Sequence, residues 1–324
     1  MNQNVDYLQR FNDLYNALNA DRVWFSDPAP LRFSTITAVS CPGSLDGVAT
    51  AIRTVSSEIR KLTGMTGVFN CTPNLRFIVA AVLVMNDDDA SEYLAEVDRV
   101  RGLFRKAGLR RGGIYEAVAV LILRLQNNLR QIPSESVERF QAIYEEMKRY
   151  QWFLTGPEDF PACAMLVGEH GSPEEMGLKI EAIFQKLTSA GFPARDPLQT
   201  AAHLLFLSRA CPDDSTGRYS GLASEFRDHG VSIWQSDYDE LAILSFLDCP
   251  AGQIVKHVLE NRLFMKQLRP RIDKLLTFSL ASSITFLQLA GVDETCDSKH
   301  LTDIQSIIGL QQAVAAAAID VGPH

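Results

Sequence analysis

The sequence predicts an all-α protein built of stacked helical hairpins that form an α/α superhelix or solenoid. Helix-start signals recur along the chain, and the apolar residues between them follow a helical rather than an alternating spacing. A third observation is a period near 40 residues, which gives about seven αα units. We expect one domain over 1–324, in which 1–22 is an N-terminal capping helix and 300–324 is a C-terminal helix and tail.

The period rests on two independent landmarks. In each unit, an aromatic residue or leucine stands four positions before a small residue, so that both lie on one face of the first helix. The small residue allows two helices to approach closely; these residues are Ala81, Ala119, Ala164, Ala202, Ala242 and Ser282, in steps of 38, 45, 38, 40 and 40. The second landmark is the apolar residue that closes each second helix, at positions 68, 109, 152, 192 and 231, in steps of 41, 43, 40 and 39.

The segment 153–166 shows how one hairpin follows another. Thr155-Gly-Pro-Glu158 has the form of a capping box, with its first residue at the N-cap and a proline in the first helical turn. Ser172-Pro-Glu-Glu175 predicts the same start for the next helix, and Gly191 predicts the C-cap that ends it. Asp196-Pro-Leu-Gln199 is expected to start the third helix by the same chemistry.

The other helices follow from the apolar spacing in chain order. They are predicted at 5–18 (the capping helix), 24–39 with 48–62, 71 onward with 91–107, 114–129 with 136–150, 157–191, 197–230, 237–267, 274–289 and 302 onward. Within the fifth hairpin, 211–217 is predicted as its longest polar loop.

The hairpins, and the motif Phe153-Leu-Thr-Gly-x-x-Asp-Phe-Pro-x-x-x-x-Leu166 in particular, resemble an uncharacterised bacterial family, domain of unknown function four thousand and three. The resemblance covers roughly Leu8 to Leu268, and the units before Asn70 and the alanine-rich tail match it less well. It implies an intracellular helical protein. It brings no assigned activity, substrate or catalytic residue.

Composition narrows the classes of function. The net charge of −8 argues against general affinity for nucleic acid. The six cysteines form no C-x-x-C pair, which indicates reduced thiols rather than a disulfide framework or a zinc site. The chain shows no basic stretch followed by an apolar core at its start, and no apolar run long enough to span a bilayer. We therefore expect a cytoplasmic protein with neither a membrane nor a nucleic acid as partner.

Two charged clusters admit a functional and a structural interpretation. Asp87-Asp-Asp89 could bind magnesium, as an aspartate-rich helix segment does in all-helical terpene synthases, but Asp89-Ala-Ser-Glu92 is also a good capping box. We favour the cap and expect neither a metal nor a cofactor. The basic cluster could hold a phosphate or an acidic partner, but we favour a solvated helix end, where cations complement the helix dipole. Its members are Arg99, Arg101, Arg105, Lys106, Arg110 and Arg111.

Catalytic motifs are absent from the sequence. The six histidines form neither H-x-x-x-H nor H-E-x-x-H, and there is no G-x-S-x-G, G-x-G-x-x-G or Walker loop. His203 stands in a strongly apolar stretch, where we expect a core histidine with a satisfied hydrogen bond rather than a ligand or a base.

Trp152 and Phe153 place two aromatic side chains at a helix end, close to Glu158 and Asp159. We favour a structural role in which the aromatic pair locks the two central hairpins together. The alternative is a ligand or peptide site, because aromatic rings beside acids suit such sites. The candidate ligand-binding residues are therefore Trp152, Phe153, Glu158, Asp159 and His203.

The favoured function is a non-catalytic binding or scaffold protein, because helical stacks present long concave surfaces that suit a protein or peptide partner. The alternative is an α/α-barrel enzyme that acts on a phosphorylated or isoprenoid small molecule. Closure separates the two hypotheses. A last hairpin packed on the first around a deep acidic pocket favours the enzyme, whereas an open groove favours binding. The sequence leaves the oligomeric state open.

Overall fold

The computed structural model describes residues 6–20, 29–64, 73–151, 155–272 and 274–290, and within them every regular element is a helix. The predicted all-α class is confirmed. The α-helices are α1 (Tyr7–Asn19), α2 (Ala29–Ala38), α3 (Leu45–Thr63), α4 (Pro73–Met85), α5 (Ala90–Lys106), α6 (Ile114–Gln126), α7 (Ser134–Gln151), α8 (Phe160–Val167), α9 (Pro173–Ser189), α10 (Asp196–Leu207), α11 (Pro212–Asp228), α12 (Tyr238–Leu244), α13 (Ala251–Gln267) and α14 (Lys274–Ala290). Short 3-10 turns over Pro157–Asp159 and Gln235–Asp237 precede α8 and α12.

The chain forms two compact units. We call Met1–Asp98 with Leu263–His324 the terminal unit, and Arg99–Arg262 the central unit. Helices α1 to α4 and α14 belong to the terminal unit, and α6 to α12 belong to the central unit. Each unit has its own buried apolar side chains, so each is described by itself.

In the terminal unit, α14 packs on α1 and α2, while α3 packs on α1 and α4. Arg32 of α2 is buried, lies 5.1 Å over the ring of Tyr15 and donates a hydrogen bond to the carbonyl oxygen of Pro270. The last described helix therefore lies against the first two helices of the chain.

In the central unit, the hairpins lie side by side. Their first helices, α6, α8, α10 and α12, contact one another in that order, and their second helices, α7, α9 and α11, do the same. Each second helix also contacts the first helix of the following hairpin. The first helices are short and apolar because they are covered on most sides, whereas α9 shows an apolar stripe of Met176, Ile180, Ile183, Phe184 and Leu187.

An aromatic cluster joins the first two hairpins of the central unit. The ring of Phe160 lies 5.8 Å from that of Phe104, 5.4 Å from that of Phe140 and 5.2 Å from that of Tyr144, each in an edge-to-face arrangement. Ala164, one turn further along α8, is fully buried as well. The predicted pairing of an aromatic with a small residue on one helix face thus builds the core here.

Most of the predicted helix boundaries agree with the structure to within a few residues. At Ser172 the capping box is complete, because its hydroxyl accepts from the Glu175 amide at 3.2 Å and its amide donates to the Glu175 carboxylate at 3.0 Å. Gly191 adopts a φ of +97°, which only glycine tolerates well, and ends α9 as predicted.

Three local predictions were wrong. The N-cap before α8 is Gly156 rather than Thr155, and Asp159 rather than Glu158 supplies the carboxylate. Asp196 is the first residue of α10 and not its N-cap, which is Arg195. The predicted polar loop 211–217 is instead the start of α11, since the Cys211 thiol accepts from the Asp214 amide at 3.5 Å and a proline follows it.

The aspartate run of Asp87, Asp88 and Asp89 lies in the terminal unit, at the start of α5. The Asp89 carboxylate accepts from the amides of Ser91 at 2.8 Å and Glu92 at 3.0 Å, so Asp89 caps α5 as expected. Within the described residues, no group of three or more histidine, cysteine, aspartate or glutamate side chains is placed to hold a metal ion. None of the described helices has the length and apolarity needed to cross a membrane.

Candidate functional site

The first helices of the central unit begin near one another. The 3-10 turn before α8 contacts α6, and the turn before α12 contacts α10. Each of the four helices has a buried polar side chain at its start, and we call these four the helix-start residues. They are Glu116 (4% exposed), Asp159 (8%), Gln199 (2%) and Asp237 (8%).

Glu116, at the start of α6, is neutralised within the protein. One carboxylate oxygen accepts from the Gly112 amide at 3.0 Å, and the other lies 3.2 Å from Nε of Arg101. The guanidinium of Arg105 pairs with the same carboxylate, while its Nη1 donates to the carbonyl oxygen of Leu109 at 2.6 Å. The interpretation of the basic cluster as a solvated helix end was therefore wrong for Arg101 and Arg105, which hold a buried carboxylate.

Asp159, at the start of α8, has a different environment. Its Oδ2 accepts from the Gly156 amide at 2.9 Å. Burial raises the pKa of its carboxyl group to about 7, the hydrogen bond from Gly156 lowers it, and the negative charges of Glu158 and Asp196 raise it further. Asp159 thus changes its protonation state near neutral pH.

Glu158 is exposed and folds back over the turn. A Cβ atom at position 156 would lie 2.3 Å from the nearer carboxylate oxygen of Glu158, so this conformation of Glu158 requires glycine there. Burial raises the pKa of Tyr115, and the charges of Glu158 and Asp159 raise it further. The same two charges contribute to the raised pKa of Tyr144, about 12, for which burial is again the main cause. Two tyrosine hydroxyls therefore lie near this turn.

Gln199 and His203 lie one turn apart on α10, on the same helix face. The Gln199 amide nitrogen donates to the Thr155 hydroxyl at 3.4 Å, which connects α10 to the turn before α8. In the described part of the chain, Oε1 of Gln199 and Nδ1 of His203 have no hydrogen-bond partner. His203 is a buried histidine as predicted, and burial lowers its pKa to about 4.

The start of α12 combines carboxylates with an exposed indole. Asp237 accepts from the Trp234 amide at 2.9 Å, and burial raises its pKa. The Trp234 side chain is 68% exposed. Burial raises the pKa of the neighbouring Asp239 to about 8, and the charge of Glu240 adds to the shift. This is the second place in the central unit where carboxyl groups lie together.

The structure brings together part of the predicted site. Glu158 and Asp159 lie in the turn before α8. The helix that carries His203, α10, is connected to this turn by the hydrogen bond from Gln199 to Thr155. Trp152 and Phe153 lie outside the described residues, so their predicted role as a staple or a binding pair stays a prediction. The sequence analysis did not identify Trp234. A signal was present, because the Trp234 amide donates to the carboxylate three residues later, at Asp237, just as the Gly156 amide donates to Asp159.

Comparisons with known proteins place the chain in a family. Residues 48–313 match the model of the family described as "Protein of unknown function (DUF4003)". The "Uncharacterized protein YeaA" of Bacillus subtilis (strain 168) is 26% identical over 267 residues, which cover 82% of this chain and 79% of that protein. No solved structure gives a significant match. The family match spans most of the chain, and this chain therefore belongs to the DUF4003 family of proteins of unknown function.

Proposed function

We propose that the chain is a helical-repeat binding protein, and that its central unit binds a basic peptide segment of a protein partner along the starts of its first helices. The observation that supports this best is the exposed indole of Trp234 beside the carboxyl groups that begin α12. Large aromatic side chains supply much of the binding energy in protein interfaces when a partner covers them.

The charge of this surface favours a basic partner. Asp159 and Asp239 have pKa values of about 7 and about 8, because burial and neighbouring carboxylates disfavour their ionised forms. A lysine or arginine side chain placed beside them stabilises the ionised forms, so binding at neutral pH should release protons from these carboxyl groups. The net charge of −8 also steers a basic partner toward the protein and argues against nucleic acid as the partner.

The proposal includes a cytoplasmic location. Cys41, Cys163, Cys211 and Cys249 are free thiols, and free thiols persist in a reducing compartment. The proposal includes no membrane as partner.

Fluorescence anisotropy tests the proposal with a fluorescein-labelled peptide of alternating lysine and leucine, and with the same peptide carrying glutamate in place of lysine. We expect saturable binding of the lysine peptide that weakens as salt rises, and no binding of the glutamate peptide. Trp234→Ala should weaken binding about tenfold or more. Leu178→Ala is the matched control, because Leu178 of α9 is also a large exposed apolar residue (59%) in the central unit. Equal binding of both peptides, or equal losses in the two variants, would overturn the proposal.

The enzyme hypothesis is kept as a second candidate because of Asp159. A carboxyl group with a pKa of about 7 can accept and donate protons at neutral pH, which general acid–base catalysis requires. Native mass spectrometry of the purified protein tests for a retained small molecule. A phosphorylated or isoprenoid compound that is present in the wild type and lost in Asp159→Asn would favour the enzyme over the peptide-binding protein. Its absence from both would remove this candidate.

A further inference from the structure

Two polar atoms inside the central unit lack a hydrogen-bond partner at the same place. The hydroxyl of Tyr219, on α11, is fully buried and has none among the described residues, and the same holds for Oδ1 of Asp239, on α12. Helices α11 and α12 contact each other, and the charge of Asp239 contributes to the raised pKa of Tyr219. The two groups therefore lie near each other. A buried polar atom without a partner is unfavourable, and a bound donor would offset that cost.

Aromatic rings form walls beside these atoms. The rings of Phe192, Tyr219 and Tyr238 have centroids 5.0, 5.6 and 6.4 Å apart, with interplanar angles of 66°, 82° and 77°. The three rings contact one another edge to face, and we call the place where they meet the aromatic corner. A ring face attracts a cation that is placed over it. Phe192 is half-buried and extends this corner toward the solvent.

Three acidic side chains lie at this corner. Asp237, Asp239 and Glu240 follow closely along the start of α12, and each contributes to raising the pKa of Tyr219. The positive charge of Arg262 acts on Asp237, whose pKa it lowers. The negative charge of Glu240 raises the pKa of Asp239. A cation bound beside Asp239 would therefore be favoured by the local field.

We propose that Asp239, Tyr219 and the rings of Phe192 and Tyr238 form a pocket for an ammonium group, and that a lysine side chain of the bound peptide fills it. The ammonium group donates to Oδ1 of Asp239 and to the Tyr219 hydroxyl, and it lies against the aromatic rings. A compact ammonium suits a small closed corner better than the broad planar guanidinium of arginine does. The assignment to a peptide lysine rests on the proposed function, whereas the recognition of an ammonium group does not.

Small probes test the pocket without a peptide. Acetyl-lysine-amide, with its free side-chain ammonium, and methylamine are titrated into protein with labelled tyrosine rings, observed by NMR. The uncharged acetyl-norleucine-amide serves as the ligand control. We expect saturable shifts of the Tyr219 and Tyr238 signals with both amines and none with the norleucine compound. Asp239→Asn should weaken amine binding about tenfold or more, since asparagine keeps the shape but cannot ionise beside the ammonium group.

Two further variants make the test decisive. Tyr219→Phe removes only the hydroxyl and should weaken amine binding severalfold, which keeps the pocket testable if Asp239→Asn does not fold. Asp213→Asn changes a mostly exposed aspartate on the same α11 helix as Tyr219 and should leave amine binding unchanged.

Absence of saturable shifts, or equal binding in all variants, would overturn the inference. Amine binding without lysine-peptide binding would overturn the proposed function alone. Peptide binding that depends on Trp234 but not on Asp239 would overturn the pocket alone.

Discussion

Two helices of the central unit begin with a buried carboxylate that accepts a hydrogen bond from a backbone amide, but the charges around the two carboxylates are opposite in sign. At the start of α6, Glu116 accepts from a backbone amide and also pairs with Arg101 and Arg105. At the start of α8, Asp159 accepts from a backbone amide and has the negative charges of Glu158 and Asp196 as neighbours. At the α6 start, the two arginines neutralise the negative charge of Glu116. The second start has carboxyl groups without a cation beside them among the described residues, and a buried group with a pKa raised in this way is a candidate functional group.

Phe160 connects the two starts, and its removal should have the largest effect on stability. Its ring contacts Phe104, Phe140 and Tyr144, and it lies beside Gly112, next to the start of α6. We expect Phe160→Ala to lower the free energy of unfolding by about 3–5 kcal/mol, because the fully buried ring leaves a large cavity. Urea denaturation measures this change. A loss below about 1 kcal/mol would show that the two starts do not share a core.

Glu116→Gln should have the next largest effect. The glutamine can still accept from the Gly112 amide, but Arg101 and Arg105 lose the charge that they hold. Breaking a buried ion pair costs about 3–5 kcal/mol, and we expect about 2–3 kcal/mol here because both arginines are partly exposed. Chemical denaturation at neutral pH measures the loss. An unchanged midpoint would mean that the ion pairs of Glu116 with Arg101 and Arg105 do not stabilise the protein.

Asp159→Asn should act in the opposite direction and depend on pH. The pKa of Asp159 is raised from 3.8 to about 7 in the folded state. Between these values the unfolded chain releases the proton and the folded chain keeps it, so the wild type loses stability as the pH rises from about 4 to 7. The asparagine variant lacks this loss and should be more stable than the wild type by about 4 kcal/mol at pH 8, and not at pH 4. Parallel denaturation curves at the two pH values measure it. A variant that is less stable at pH 8 would contradict the comparison.

Two glycines give the smallest and most local test. A Cβ atom on Gly112 would lie 3.0 Å from the buried ring of Phe160, whereas one on Gly156 would meet the exposed carboxylate of Glu158. We expect Gly112→Ala to cost about 1–3 kcal/mol through overpacking. Gly156→Ala should cost under about 0.5 kcal/mol, because an exposed side chain can turn away. Thermal melts of both variants check the order, and the reverse order would show that the α8 start is the tighter of the two.

Local chemistry explains how much of the fold was predictable. The capping box at Ser172 and the C-cap at Gly191 each involve residues a few positions apart, and the sequence predicted both. The turn before α8 was displaced by one residue because Thr155 and Gly156 both suit an N-cap. The start of α11 was missed because cysteine is an unusual N-cap, so the polar run after Cys211 resembled a loop.

The site was less predictable because its properties come from distant residues. Asp159 and Glu158 were candidates from their position beside aromatic residues, but the raised pKa of Asp159 depends on burial by the folded chain. The pairing of Glu116 with Arg101 joins residues on different helices. Tyr219 and Asp239 are twenty positions apart in the sequence and meet only through the packing of α11 on α12. No local pattern in the sequence contains this information.

The most direct test of the account is the titration of the Asp159 carboxyl group by NMR, with carbon-13-labelled aspartate and with Asp159→Asn to assign the signal. We expect a pKa of about 7 in the free protein, because Asp159 is buried beside the carboxylates of Glu158 and Asp196. Glu116, in contrast, is paired with two arginines. We also expect that the pKa of Asp159 falls when the lysine peptide is added. A pKa at or below 3.8 in the free protein would show that Asp159 is a compensated cap, and would contradict the account.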